Sequence, residues 1–198
     1  MKCPWESLST KDKIIRVVMD FIADEGFQNV TTRKIAARAG VNVAAINYYF
    51  GSKDALINEA LKTVTQRLKK TFDCLKEEQE NGETKLAKFI KEYTDTLFHY
   101  PDIIKNMINH VIHNKDFDER AEYLKFLEND GFELIKQTIG QIKTGEDEYY
   151  LKLKALHLLS SLSFPILMGE KVKNVMGVDF CKKEARDRYT EILLESIL

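Results

Sequence analysis

Apolar residues return every three or four positions along most of this chain, with charged residues between them, and that spacing predicts a succession of amphipathic helices. The first starts at Ser9 or Thr10, either able to cap it, and carries Ile14, Val18, Phe21 and Ile22 on one face until Gly26. Phe27 and Val30 are expected to fold back onto that stripe. Thr31 can then cap a short second helix through Arg33, Ile35, Ala36 and Ala39. Gly40 is free to make the tight turn that follows, Val41 can point inward, and Asn42 can cap a third helix ending near Phe50. Gly51 closes that helix, and Ser52 caps a fourth that begins at Lys53 and turns Leu56, Ala60 and Leu61 inward.

Farther on, Gly82 marks a break, and Leu86, Ile90, Tyr93 and Leu97 form a stripe up to Tyr100-Pro101. Pro101 can open a helix carrying Ile104, Met107, Ile108 and Val111, and after Asp118 a longer one carries Leu124, Leu127, Leu134 and Ile135. Leu151 to Met168 is apolar nearly all round, so it must be buried on most sides, more than a monomer of this size is expected to cover. Pro165 is expected to kink it. A last helix after Asp179 shows Ala185, Tyr189, Ile192 and Leu193 as a second apolar stripe. The fold class is therefore all-α with about nine helices, without a convincing strand or an internal repeat.

Composition narrows the class further. With 198 residues, 44% of them hydrophobic and 31% charged, the chain can bury a core of one or two domains. Its longest uncharged stretch, Ala155 to Gly169, is shorter than the ~20 residues of a membrane-spanning helix. The start, with Pro4, Trp5 and Glu6, lacks the layout of a secretory signal, so a cytoplasmic location is expected. Cys3, Cys74 and Cys181 are far apart and in no CxxC pair, which points to reduced thiols. His110 and His113 share a helical face, but no Glu-x-x-His or His-Glu-x-x-His accompanies them, so no metal is expected. GxGxxG, a Walker loop and GxSxG are all missing, so no cofactor and no enzymatic activity are expected.

Net charge is −1, yet it is unevenly placed: residues 1–53 hold eight Lys/Arg against five Asp/Glu. Between Gly26 and Lys53 stand Arg33, Lys34, Arg38 and Lys53 and no acidic residue, a local basic patch suited to DNA. The second and third helices make a helix-turn-helix, whose second helix enters the major groove. At 100° per residue, Ile46 and Phe50 lie together on the core side with Val43 near them, and Tyr48 points directly away. Ala44 and Ala45 share the outer face, with Asn47 and Tyr49 on its flanks. Two alanines allow close approach to base edges, Asn47 can pair with adenine, and tyrosine hydroxyls can reach phosphates or bases. Lys53, in the first turn of its helix, sits slightly against the helix dipole unless a DNA phosphate binds there.

The run Thr31-Thr32-Arg33-Lys34-Ile35-Ala36, then Ala39-Gly40-Val41, then Tyr48-Tyr49-Phe50-Gly51-Ser52-Lys53-Asp54-Ala55-Leu56 closely resembles the DNA-binding domain of the TetR family of bacterial regulators. That resemblance implies a DNA-binding domain at 1–53 and a helical effector-binding and dimerisation domain at 54–198. It implies that Thr32 touches phosphate and that Arg33 reaches a base or phosphate at the groove edge. Val43, Ala44, Asn47 and Tyr48 fall at positions used against bases, with Ala45 nearby and Tyr49 and Lys53 on phosphate. One departure is Asn47, where the family usually has tyrosine, so sequence preference at that base step does not transfer.

The last two stripes resemble the pair of helices through which such proteins dimerise, with Leu158, Leu162, Tyr189 and Ile192 as interface candidates. A two-fold dimer would present two reading helices about 34 Å apart to a palindromic site on double-stranded DNA. The resemblance also implies a small-molecule effector pocket in the body. Its candidates are Phe89, Tyr93, Phe98, Met107, His110, Tyr123, Phe126 and Phe164, each of which could equally be plain core. The alternatives are a constitutive DNA binder without effector and, after it, a helical enzyme or metal protein.

Overall fold

In a computed structural model, the described residues are 9–26, 29–113 and 122–198; the side chains of 106, 109–113, 122 and 124 also lie outside the description. Phe27, Val111, Phe117 and Leu124, and both His110 and His113, therefore fall outside it. Every regular element among the described residues is helical, in agreement with the all-α expectation. In order they are α1 (Thr10–Glu25), α2 (Thr32–Ala39), α3 (Val43–Phe50), α4 (Lys53–Lys70), a 3-10 turn (Asp73–Lys76), α5 (Gly82–His99) and α6 (Pro101–His113). Then come α7 (Glu122–Phe126), a π turn (Leu127–Gly131), α8 (Phe132–Ile142), α9 (Glu148–Met168), α10 (Glu170–Met176) and α11 (Lys183–Ile197). The three elements that periodicity did not distinguish are the 3-10 turn, the π turn, which interrupts one apolar stripe, and the seven-residue α10.

Helix starts follow the side-chain chemistry. Ser9, Thr31, Asn42 and Ser52 each accept a hydrogen bond from the backbone N–H three residues on, at 3.2, 3.3, 2.7 and 3.1 Å. Each supplies one acceptor for amide groups that a helix leaves without partners. Asn81 and Asp147 do the same for α5 and α9.

Two compact units divide the chain as Met1–Thr65 with Asp102–Arg120, and Gln66–Pro101 with Ala121–Leu198. This partition differs from a cut at residue 53, because α4 carries its buried Leu56, Ile57, Ala60, Leu61 and Val64 into the first unit. The first unit buries Ile14, Val18 and Ile22 of α1, Ile35 and Ala36 of α2, and Ile46 of α3. Ile103, Ile104 and Met107 of α6 are buried as well.

In the second unit α5 packs against α8, α9 and α11. It buries Leu86, Phe89, Ile90, Tyr93 and Leu97. Arg186 fastens α11 to α5: its Nε donates to Asp95 at 2.9 Å, while Nη1 donates to the carbonyls of Phe180 and Cys181.

Helix α9 corrects the sequence reading of its faces. Leu158 and Leu162, expected to meet a partner, are buried inside the chain, together with Ala155 and Ile166. The outward face carries Leu153, Leu156, Phe164 and Leu167, with Leu156 55% and Phe164 50% exposed. A helix apolar on all sides has no preferred buried stripe, so period alone could not say which leucines turn inward. By length and composition α9 is the one helix among the described residues that could cross a membrane, but one face of it packs on α8 and α11.

Pro165 sits inside α9 without ending it. Having no N–H, it leaves the carbonyl of Ser161, four residues earlier, without its helical donor. The Tyr189 hydroxyl of α11 donates to that carbonyl at 2.7 Å. One missing backbone bond thus fixes how α11 lies on α9. Tyr189→Phe should lower stability by about 1 kcal/mol. In a Pro165→Ala background, where the restored N–H can serve Ser161, the same change should cost clearly less. Equal losses in both backgrounds, measured by urea denaturation, would remove this account of the α9–α11 contact.

Candidate nucleic-acid interface

Helix α3 is eight residues long, and only Ile46 on it is fully buried. Gly40 between α2 and α3 has φ +67°, a left-handed conformation that side chains bearing a Cβ rarely adopt, and its N–H closes α2 on the carbonyls of Ala36 and Ala37. Val43 and Phe50 are half-buried beside Ile46; Ala44, Asn47, Tyr48 and Tyr49 are exposed. Tyr48 is 84% and Tyr49 42% exposed, their rings edge to face at 5.2 Å. Ala45, expected on the outer face, is half-buried, as is Thr32, whereas Arg33 and Lys53 are exposed.

The basic patch is smaller than the charge count implied. Lys34 pairs with Glu25 and Arg38 with Asp24, each at 3.0 Å, and both cations lie over the Phe21 ring. These carboxylates end α1, just before the acid-free stretch begins. Arg33 and Lys53 have no ion-pair partner among the described residues, so they keep their full charge for an anion outside the chain. Lys11, which the sequence did not single out, donates to Glu59 at 3.0 Å and stands 5.9 Å over the Phe50 ring, bracing the end of α3 between α1 and α4. A Lys–Glu pair 48 residues apart carries no periodic signal that could have revealed it.

An apolar scaffold thus holds a short helix by one buried isoleucine and capped ends, and turns small, amide and aromatic side chains outward. Residues 14–60 match the family model described as bacterial regulatory proteins, tetR family. Over these residues the chain is similar to the TetR family of regulators. Over 46 residues the chain is 50% identical to the HTH-type transcriptional dual regulator CecR of Shigella flexneri, covering 23% of this chain and 20% of that protein. Several curated relatives are matched over about a third of their length or less. A longer match, 21% identical over 180 residues, joins 89% of this chain to 85% of the HTH-type transcriptional repressor NicS of Pseudomonas putida. Among solved structures, a TetR transcription regulator from Haloarcula marismortui superposes with a TM-score of 0.66 at 17% identity, over 94% of this chain and 97% of that one. At that identity the likeness shows the fold alone.

Of the pocket candidates, Phe89, Tyr93, Tyr123 and Phe126 come together around Phe72, which the sequence reading had passed over. Phe98 does not join them: it stacks on Phe180, which in turn meets Tyr189. Met107 is buried in the first unit, and Phe164 stands on the outward face of α9. Of the dimer candidates, Ile192 is exposed and Tyr189 half-buried.

Two substitutions on α3 separate surface from core. Tyr48→Ala should leave the melting temperature essentially unchanged, whereas Ile46→Ala should cost about 2–5 kcal/mol. Comparable thermal losses in the two variants would place Tyr48 in the packing of the head.

Proposed function

We propose that this chain is a transcriptional regulator that binds a palindromic site on double-stranded DNA as a homodimer, represses from it, and releases it when a small molecule binds the body. The observation that carries the reading is the exposed pair Tyr48 and Tyr49 on a capped helix whose other side is fixed by Ile46. Exposed aromatics on a small, well-held helix have recognition chemistry, which supports a binding role for this face. Thr32, Arg33, Tyr49 and Lys53 take phosphates or the groove edge; Val43, Ala44, Ala45, Asn47 and Tyr48 take the bases.

Two further features support the body's part. The outward face of α9 and the exposed Ile192 of α11 form apolar surface of the kind that a second copy covers, and a two-fold contact makes the same surface serve both partners. Covering by a second copy, in place of lipid, also accords with a cytoplasmic protein. In this reading residues 1–53 contact DNA and residues 54–198 dimerise and sense. Repression is the mode of the similar protein NicS, an HTH-type transcriptional repressor.

Selection of random duplexes by the full chain should enrich a palindrome, and Tyr48→Ala should lose it. Lys53→Ala should weaken all sequences alike and reduce the salt dependence by about one unit of slope. Absence of any enriched sequence would overturn the DNA-reading role. For the dimer, Leu156→Asp should yield monomers in sedimentation with the helical content kept, while Leu158→Ala should destabilise the fold by about 2–5 kcal/mol without a specific effect on assembly. A Leu156→Asp protein that stays dimeric would exclude α9's outward face as the interface.

A further inference from the structure

The charge of the head runs against local preference at one place. Helix α1 ends on Asp24 and Glu25 with no basic residue in its last turn, although negative charge is unfavourable beside the carbonyl end of a helix. Both carboxylates reach α2: Glu25 Oε2 accepts from Lys34 Nζ and Asp24 Oδ2 accepts from Arg38 Nη2, each at 3.0 Å. Lys34 and Arg38 stand one turn apart on α2, and both lie over the Phe21 ring of α1, 5.2 and 5.7 Å from its centre. All four side chains remain between 41% and 58% exposed. Ion pairs this wet add little to a fold, so stability does not account for two acids at this helix end.

What the two pairs do change is the field around α2. Sequence-independent binding to DNA is almost wholly the attraction of cations for phosphate. In a helix-turn-helix the first helix crosses the backbone, and α2 carries three cations, Arg33, Lys34 and Arg38. Left free, all three would pull on any duplex. A carboxylate 3.0 Å away cancels most of that pull for two of them, because opposite charges so close act on anything farther off only as a dipole. At 100° per residue, Lys34 and Arg38 lie about 100° and 140° around α2 from Arg33. A docking register that turns Arg33 to the groove edge therefore turns these two aside, and their free charge would favour other registers more than that one.

We propose that Asp24 and Glu25 are specificity-determining residues for DNA: by neutralising Lys34 and Arg38 they keep the attraction for arbitrary duplex low, so that binding depends on what α3 reads. The proposal rests on the DNA reading above and adds to it two residues of the sign that DNA repels. Specificity is a difference between two affinities, and lowering the unwanted one serves it as well as raising the wanted one.

Fluorescence anisotropy of the full chain tests this over a series of KCl concentrations, with two labelled probes: a duplex of arbitrary sequence and the palindrome obtained by selection. Asp24→Asn/Glu25→Gln keeps size and removes both charges, so its melting temperature should stay close to that of the parent. Its affinity for the arbitrary duplex should rise at least about fivefold at about 0.15 M salt, with the salt dependence steeper by about one unit of slope for each cation that gains a phosphate. Its affinity for the palindrome should rise less. Adding Lys34→Gln/Arg38→Gln to the same chain should abolish the gain, since the gain needs the freed cations. The proposal is overturned if the arbitrary duplex is bound as by the parent, if both probes gain equally, or if the gain survives in the fourfold variant. A lower melting temperature with unchanged DNA binding would make the two pairs structural and overturn it as well. A parent that binds neither probe ends the DNA reading and this proposal together, whereas a parent that selects its palindrome and is matched by the double variant ends the proposal alone.

Discussion

An eight-residue helix does not stand alone in water, because nucleating its first turn costs more than two turns of hydrogen bonds return. The head of this chain is organised around that constraint. Helix α3 is stable only because Asn42 caps its start, Gly40 turns the chain sharply into it, and Ile46 anchors it to the core. Lys11 and Glu59 then brace its far end over Phe50. A single fully buried residue is a minimal anchor, and it has a consequence: Ala44, Asn47, Tyr48 and Tyr49 stay exposed on the other side of α3. Were the helix longer or held by two apolar rows, fewer side chains could face outward.

Much of this was legible in the chain itself. Caps are local chemistry: Ser, Thr or Asn before an apolar stripe offers an oxygen to a nearby amide, so Ser9, Thr31, Asn42 and Ser52 could be placed from neighbours alone. The outward direction of Tyr48 likewise follows from 100° per residue once Ile46 is fixed as core. What escaped depends on residues distant in sequence. Asp24 and Glu25 halve the free charge of the basic stretch, and the count of that stretch could not reveal it because they lie just outside. The ring cluster was half legible: helical period put Tyr93 on an inward face and Phe89 stood among the pocket candidates, but nothing local said that Phe72 would join them or that Phe98 would turn to Phe180.

Helix α9 marks the limit most clearly. Its apolar residues surround the axis, so no face is preferred and any choice of contact residues from sequence is arbitrary. Tertiary packing makes the choice instead, and the tie between Tyr189 and the Ser161 carbonyl is part of how it is made. Pro165 is commonly a helix breaker, but here the gap it leaves in the backbone ladder is filled from the neighbouring helix. A residue that weakens one helix by itself thereby orients two of them.

The exposed apolar surface of the two units differs in chemistry, and that difference argues for different partners. Tyr48 and Tyr49 each combine a flat apolar face with a hydroxyl at the tip, which suits contact with a wet and charged partner whose edges accept hydrogen bonds. Leu153, Leu156, Phe164 and Leu167 have no polar atoms beyond the backbone, so they gain only from a partner that excludes water as they do. A second copy of the same face meets that demand without any change in sequence. Nucleic acid cannot meet it, because its phosphates would be stripped of water against leucine with nothing in return. On this ground the tyrosines and the leucines fit the two separate binding events proposed above, one with DNA and one with a second copy.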